Sequence, residues 1–134
     1  MKEVVIGFPL SYEAIMLYAK YSGFKLYAYA QKDIDHLDSY IKFDPSKQNN
    51  NWGITYNKND LGDETIADKL YGDGYFDDDS IERDDKNLIR VVKELRKKAG
   101  YETKIVQIPD DIKWYVTETE DGHEYIEEEH RTWS

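Results

Sequence analysis

The chain has 134 residues and no cysteine, and its 28 acidic and 18 basic residues give a formal net charge of −10. This length suits one domain with a single core, and the lack of cysteine excludes disulfides, thiolate nucleophiles and cysteine-ligated zinc. The charge argues against DNA or RNA duplexes and anionic membranes as partners, because phosphate neutralisation drives those contacts. A small anion held by a few local arginines remains compatible with it.

The N-terminal part predicts a strand, a helix and a second strand. The apolar run at 3–8 is typical of a buried strand. Ser11 stands at the N-cap position of a helix over 12–22, and Gly23 stands at its C′ position. Alternating aromatic and aliphatic residues then predict a strand over 24–30.

The next stretch, 31–74, is predicted to be largely irregular. It is rich in turn-forming residues, as in "DPSKQNNNWG" and "NKNDLGDE". Only a short strand at 54–56 and a short helix at 65–72 interrupt this pattern. A long irregular stretch in a small domain is usually functional or mobile, and composition does not distinguish the two.

A helix over 85–99 is the strongest prediction, because its apolar residues recur at helical spacing. Asp84 or Asp85 is expected to cap it, and Gly100 follows its basic last turns. A strand over 103–108 comes next.

Two alternating runs, 113–119 and 123–129, flank Asp121-Gly122, which is a strong hairpin turn signal. The second run continues into Arg131 and Trp133, so a hairpin strand is expected to anchor both side chains. Together the elements predict an α+β fold in a single domain, with a mixed or mainly antiparallel sheet of five strands packed against two helices.

Catalytic and metal signatures are missing from the sequence. His36, His123 and His130 lack metal-ligand spacing, and no glycine-rich nucleotide motif occurs. The acidic segment 71–80 lacks the calcium-loop pattern. No catalytic residue, metal or cofactor is therefore predicted.

One constellation of residues suits an anionic ligand. Phe76 and Arg83 precede the 85–99 helix, whose N-terminus favours an anion, and Asn87 lies in its first turn. Arg131 and Trp133 would add a second guanidinium and a stacking face. In the alternative interpretation, Arg83 pairs with the surrounding aspartates and Trp133 packs at the edge of the core.

Four segments, "GFPLSYEA", "RDDKNLIRVVKEL", "KIVQIPDDIKWYV" and "EDGHEYIEEEHRTW", resemble a family of small phage-encoded proteins. Within it the chain looks most like the first type of Thoeris anti-defence protein. The likeness covers about the first quarter and the last two fifths of the chain. The family often has a Cys-aromatic-Gly-Gly-Phe loop, of which Gly7 and Phe8 remain, and an Ile-Pro-Arg sequence, of which Ile81 and Arg83 remain.

The resemblance implies a function without catalysis. Such proteins bind a cyclic ADP-ribose signal made by a bacterial TIR-domain enzyme and withhold it from its effector, in the cytoplasm of the infected bacterial host. It further implies a homodimer or higher homo-oligomer, with aromatic rings on the adenine and arginines on the pyrophosphate. The expected ligand-binding residues are Arg83, Arg131, Phe76, Trp133, Asn87 and Phe8.

Two other functions stay open at this point. A small nucleotide or phosphosugar hydrolase would use Asp77, Asp78 and Asp79 to hold a divalent metal. An acidic inhibitor would instead occlude a basic protein partner.

Overall fold

The computed structural model describes residues 1–33, 35–46 and 53–128. Its architecture is α+β, and the strands of these ranges pair antiparallel, so the predicted fold class is confirmed. The described residues divide into two compact units, residues 1–18 with 81–128, and Ala19–Ser80. In the described ranges, no helix combines the length and the apolar character needed to cross a membrane.

The elements alternate along the chain. The strands are β1 (Lys2–Ile6), β2 (Tyr27–Asp33), β3 (His36–Lys42), β4 (Ile54–Asn57), β5 (Glu64–Ile66), β6 (Tyr75–Phe76), β7 (Lys104–Ile108), β8 (Trp114–Glu118) and β9 (Glu124–Glu128). The helices are α1 (Tyr12–Ser22), α2 (Ala67–Leu70) and α3 (Lys86–Leu95), and two 3₁₀ turns cover Asp78–Ser80 and Arg96–Ala99.

The first unit is built on the antiparallel pair β1–β7, against which α3 packs. Val4 and Val5 of β1 point to opposite faces and are both fully buried, so both faces of this strand are covered. Strands β8 and β9 form the predicted hairpin, and Gly122 in its turn has a φ of 85°. Such a positive φ is readily adopted by glycine, which explains the strong turn signal.

Side chains cap the N-termini of α3 and α1. Asp85 is the N-cap of α3, and its Oδ1 accepts hydrogen bonds from the N–H groups of Asn87 at 2.8 Å and Leu88 at 3.3 Å. Its Oδ2 also accepts one from the Tyr18 hydroxyl at 3.0 Å. Ser11 caps α1 as predicted, because its Oγ accepts from Ala14 N–H at 3.1 Å.

The second unit contains a five-stranded antiparallel sheet in the order β5-β3-β2-β4-β6. Its core centres on Tyr29, which is fully buried and packs with Tyr40 and Leu70. The Tyr29 hydroxyl donates to Gly62 O and accepts from Leu61 N–H, both at 2.9 Å. The buried Tyr29 hydroxyl therefore has a hydrogen-bond partner both as a donor and as an acceptor.

Two predictions about the sheet were wrong. The five predicted strands do not share a sheet: β1 and β7 pair with each other, β8 and β9 pair with each other, and β2 lies in the second unit. The described parts of 31–74 contain the expected strand β4 and the expected short helix α2, but they also supply β3 and β5, which the prediction of an irregular stretch missed. Backbone pairing with neighbouring strands stabilises β3 and β5 more than intrinsic propensity does.

Candidate anion-binding site

The loop after β1 presents two consecutive backbone N–H groups. Gly7 has a φ of 89°, and a Cβ at this position would lie 2.1 Å from Glu102 O. Thr103 Oγ1 donates to Gly7 O at 2.8 Å, which holds the loop against the segment that precedes β7. Only glycine fits here, so the direction of the Gly7 and Phe8 N–H groups is set by the backbone.

Arg83 reaches this loop from the segment that precedes α3. Its carbonyl accepts from Val5 N–H at 2.8 Å, which ties the segment to β1. Its guanidinium carbon lies 3.7 Å from the centroid of the Phe8 ring, within cation–π range. The fixed backbone and the ring together restrict the orientation of the guanidinium.

Glu124, the first residue of β9, completes the site. Its Oε1 accepts from Gly7 N–H at 2.8 Å, Phe8 N–H at 3.0 Å and Arg83 Nη1 at 2.7 Å. Its Oε2 accepts from Arg83 Nη2 at 3.0 Å. The side chains of Arg83 and Glu124 are only 15% and 11% exposed, so the pair is largely shielded from water.

The environment favours a negative charge at this position. Burial alone would raise the pKa of Glu124, but the hydrogen bonds from Arg83 and from the N–H groups of Phe8 and Gly7 outweigh it and hold the pKa below the ordinary value of 4.5.

We call the four donors on Gly7, Phe8 and Arg83 the anion cradle. Guanidinium and paired backbone N–H groups are also typical ligands of phosphate oxygens.

Of the four predicted ligand-binding residues that the structure describes, it brings together two, Arg83 and Phe8. Arg83 pairs with Glu124, a carboxylate that neither interpretation of the sequence included. Sequence reasoning missed Glu124 because nothing distinguishes it among 28 acidic residues. Gly7 was recognised only as a remnant of a family loop.

Asn87 and Phe76, the other two predicted residues that the structure describes, are not part of the cradle. The Asn87 N–H is bonded to Asp85, which occupies the helix N-terminus expected to hold an anion. Phe76 is a buried residue of the second unit, with its ring 5.7 Å from that of Phe24. Arg131 and Trp133 lie outside the described residues.

The aspartates of the alternative hydrolase form a compact group in the second unit. Oxygens of Asp77, Asp78 and Asp79 lie within 4.8 Å of one another. Asp77 Oδ1 accepts from Asp79 N–H at 3.2 Å, and Asp77 O accepts from Ser80 Oγ at 2.6 Å. These bonds define an exposed 3₁₀ turn, which by itself explains why the carboxylates are close.

An open cleft of about 700 Å³ lies beside β7 and the β8–β9 hairpin. Glu127 and Glu128 line it, and Glu127 accepts hydrogen bonds from the hydroxyls of Tyr115 at 2.6 Å and Tyr125 at 2.8 Å. These bonds keep the pKa of Glu127 below its ordinary value. The negative lining of this cleft disfavours a phosphate, so the anion cradle is the better candidate for an anion site.

Comparisons with known proteins found no match to a family model, to a curated protein or to a solved structure.

Proposed function

We propose that this protein binds a cyclic ADP-ribose-type nucleotide and sequesters it without converting it. The observation that supports this proposal is the anion cradle, in which four N–H donors converge on one carboxylate beside an aromatic ring. In the proposed complex, a ligand phosphate takes the position of the Glu124 carboxylate. The resemblance to the first type of Thoeris anti-defence protein supplies the nucleotide class.

Glu124 then acts as an internal competitor of the ligand. A phosphate gains the charge-assisted bonds of Arg83 only after the carboxylate has left them. The measured free energy of binding is therefore the difference between the free energy of the contacts with phosphate and that of the contacts with Glu124. Removing the negative charge of Glu124 should therefore strengthen binding, whereas removing Arg83 should weaken it.

Calorimetric titration of cyclic ADP-ribose isomers tests this competition. We expect Arg83→Ala to weaken binding by about 30-fold or more, as for other buried charge-assisted contacts. Glu124→Gln should tighten it, because a neutral amide competes less well for Arg83. Lys32→Ala is the matched control, because Lys32 forms only an exposed ion pair with Glu64. The affinity of this variant for the nucleotide should stay within about twofold of wild type.

Folding is checked on each variant by its circular dichroism spectrum. If folded wild type and folded Glu124→Gln bind no isomer, the proposed function is wrong. If Glu124→Gln weakens binding as much as Arg83→Ala does, the carboxylate is not a competitor and the cradle serves folding alone.

The fate of the ligand separates sequestration from hydrolysis. Protein incubated with lysate containing an active TIR-domain enzyme is purified and heated, and the released small molecules are identified by mass spectrometry. Release of intact cyclic nucleotide supports sequestration. Release of an altered product supports the metal-dependent hydrolase built on Asp77, Asp78 and Asp79.

The proposal includes a homodimer or higher homo-oligomer in the cytoplasm of an infected bacterium. Tyr71 and Tyr75 are 48% and 41% exposed, and their rings lie 5.1 Å apart, which gives the surface an aromatic patch typical of interfaces. Light scattering at micromolar concentration should therefore give a multiple of the 15.8 kDa chain mass. A monomer mass would contradict this part of the proposal.

A further inference from the structure

The segment 86–104 is strongly basic although the chain as a whole is acidic. It contains seven basic and two acidic residues, in a protein of net charge −10. The segment comprises α3, the 3₁₀ turn Arg96–Ala99 and the start of β7, all in the first unit. A local positive field of this kind attracts anions against the overall charge of the protein.

Part of this segment borders an open, shallow cleft of about 550 Å³, a volume within the range of small-molecule sites. Four cationic side chains line it: Lys93, Arg96, Lys97 and Lys104. Val92 and Ile105 contribute apolar surface to the same cleft. We call it the basic cleft, and it shares no residue with the anion cradle.

Within the described residues, three of its four cations lack an ion-pair partner. Lys93 pairs with Glu3 at 3.0 Å, but within the described residues Arg96, Lys97 and Lys104 have neither an ion pair nor a side-chain hydrogen bond. Lys2 and Lys42, by contrast, pair with Asp84 at 2.9 Å and with Asp60 at 2.8 Å. Exposed lysines without an ion pair also occur elsewhere in the described residues, as at Lys25 and Lys98, so the distinguishing feature of the basic cleft is that three such cations line it together.

The backbone at Arg96 adds an independent observation. Its φ of 53° is the one positive value of a non-glycine residue within the described ranges. This conformation is unfavourable for a residue with a Cβ, and glycine would adopt it more easily. A cationic side chain is thus present in the cleft at a position where stability alone would favour glycine.

The helix dipole explains only part of this pattern. Cations near the C-terminus of α3 are favoured by its partial negative charge, which accounts for Arg96 and Lys97. It does not account for Lys104, which lies in β7, or for the apolar surface of Val92 and Ile105.

We infer that the basic cleft binds a small polyanion with two or more phosphate or carboxylate groups. Arg96, Lys97 and Lys104 would bind the anionic groups, and Val92 and Ile105 would contact an apolar part of the ligand. The site is separate from the nucleotide site proposed above, and neither inference requires the other.

An NMR titration of ¹⁵N-labelled protein with inorganic tripolyphosphate tests the basic cleft near physiological salt. We expect saturable amide shifts centred on residues 92–105. The double variant Lys97→Ala/Lys104→Ala should weaken binding by about 10-fold or more, because two charge-assisted contacts are lost. The matched control is Lys98→Ala/Lys25→Ala, which removes the same charge from two exposed lysines outside the lining and should bind within about twofold of wild type.

Several outcomes would overturn the inference. Shifts that grow linearly at all exposed lysines would mean an adventitious ion only. Equal weakening in the control variant would mean a response to net charge, and shifts centred on Gly7 and Phe8 would place the anion in the cradle instead. Tighter binding of a polyglutamate peptide than of tripolyphosphate would overturn the assignment to a small ligand.

Discussion

Arg83 and Arg96 flank α3 and have opposite environments. Arg83 is 15% exposed, pairs through both terminal nitrogens with Glu124 and stacks on Phe8. Arg96 is exposed, has no described partner and has a positive φ. An enclosed guanidinium with an internal counter-ion supports folding and must exchange partners to bind a ligand. An exposed, unpaired guanidinium contributes little to folding and can bind an anionic ligand without first leaving another partner.

Gly7→Ala should break the anion cradle most severely. The new Cβ would meet Glu102 O at 2.1 Å in a left-handed backbone conformation, so we expect a loss of about 3 kcal/mol or more in urea unfolding. Gly23→Ala is the matched control, because Gly23 has a φ of 85° but the Cβ that alanine adds would meet no atom within 4 Å. Its cost should be about 1 kcal/mol, and equal losses at both positions would mean that the tight contact is unimportant.

Arg83→Ala should lower the free energy of unfolding more than Arg96→Ala does. It leaves the Glu124 carboxylate largely buried with only two backbone donors, so the free energy of unfolding should fall by about 2–4 kcal/mol. Arg96→Ala should change it by less than about 1 kcal/mol. Equal losses, measured by urea unfolding, would remove the contrast.

Lowering the pH should weaken the cradle. The pKa of Glu124 is lower in the folded protein than in the unfolded chain, where it is near 4.5. The contribution of the Glu124 carboxylate to the free energy of unfolding is therefore fully present above the unfolded pKa and is lost as the pH falls through the folded pKa. We expect the stability difference between wild type and Glu124→Gln to be constant near neutral pH and to shrink below about pH 4.5. A difference that does not change between neutral pH and about pH 3 would mean that folding does not shift the pKa of Glu124, so that the cradle does not favour its ionised form.

Arg96→Gly should have the smallest effect on stability. Relief of the positive φ offsets the greater chain entropy of glycine, so the free energy of unfolding should stay within about 1 kcal/mol of wild type. Tripolyphosphate binding at the basic cleft should nevertheless weaken. A variant with unchanged affinity would show that the Arg96 side chain does not contact the anion.

Much of the local structure could be predicted from the sequence. The caps Ser11 and Asp85, the hairpin turn at Gly122 and the apolar spacing of α3 are properties of neighbouring residues, so short-range patterns were sufficient. The grouping of strands into sheets could not be predicted this way, because β1 pairs with a strand about a hundred residues later.

For the candidate site, the sequence by itself determined that Arg83 stands before a capped helix and that Gly7 and Phe8 follow a buried strand. Only the tertiary structure decided that these groups meet and that Glu124 lies between them. The reason is that Glu124 is 41 residues from Arg83 and 117 from Gly7 along the chain. Contacts over such separations depend on the packing of β1, α3 and the hairpin, and no short-range pattern contains that information.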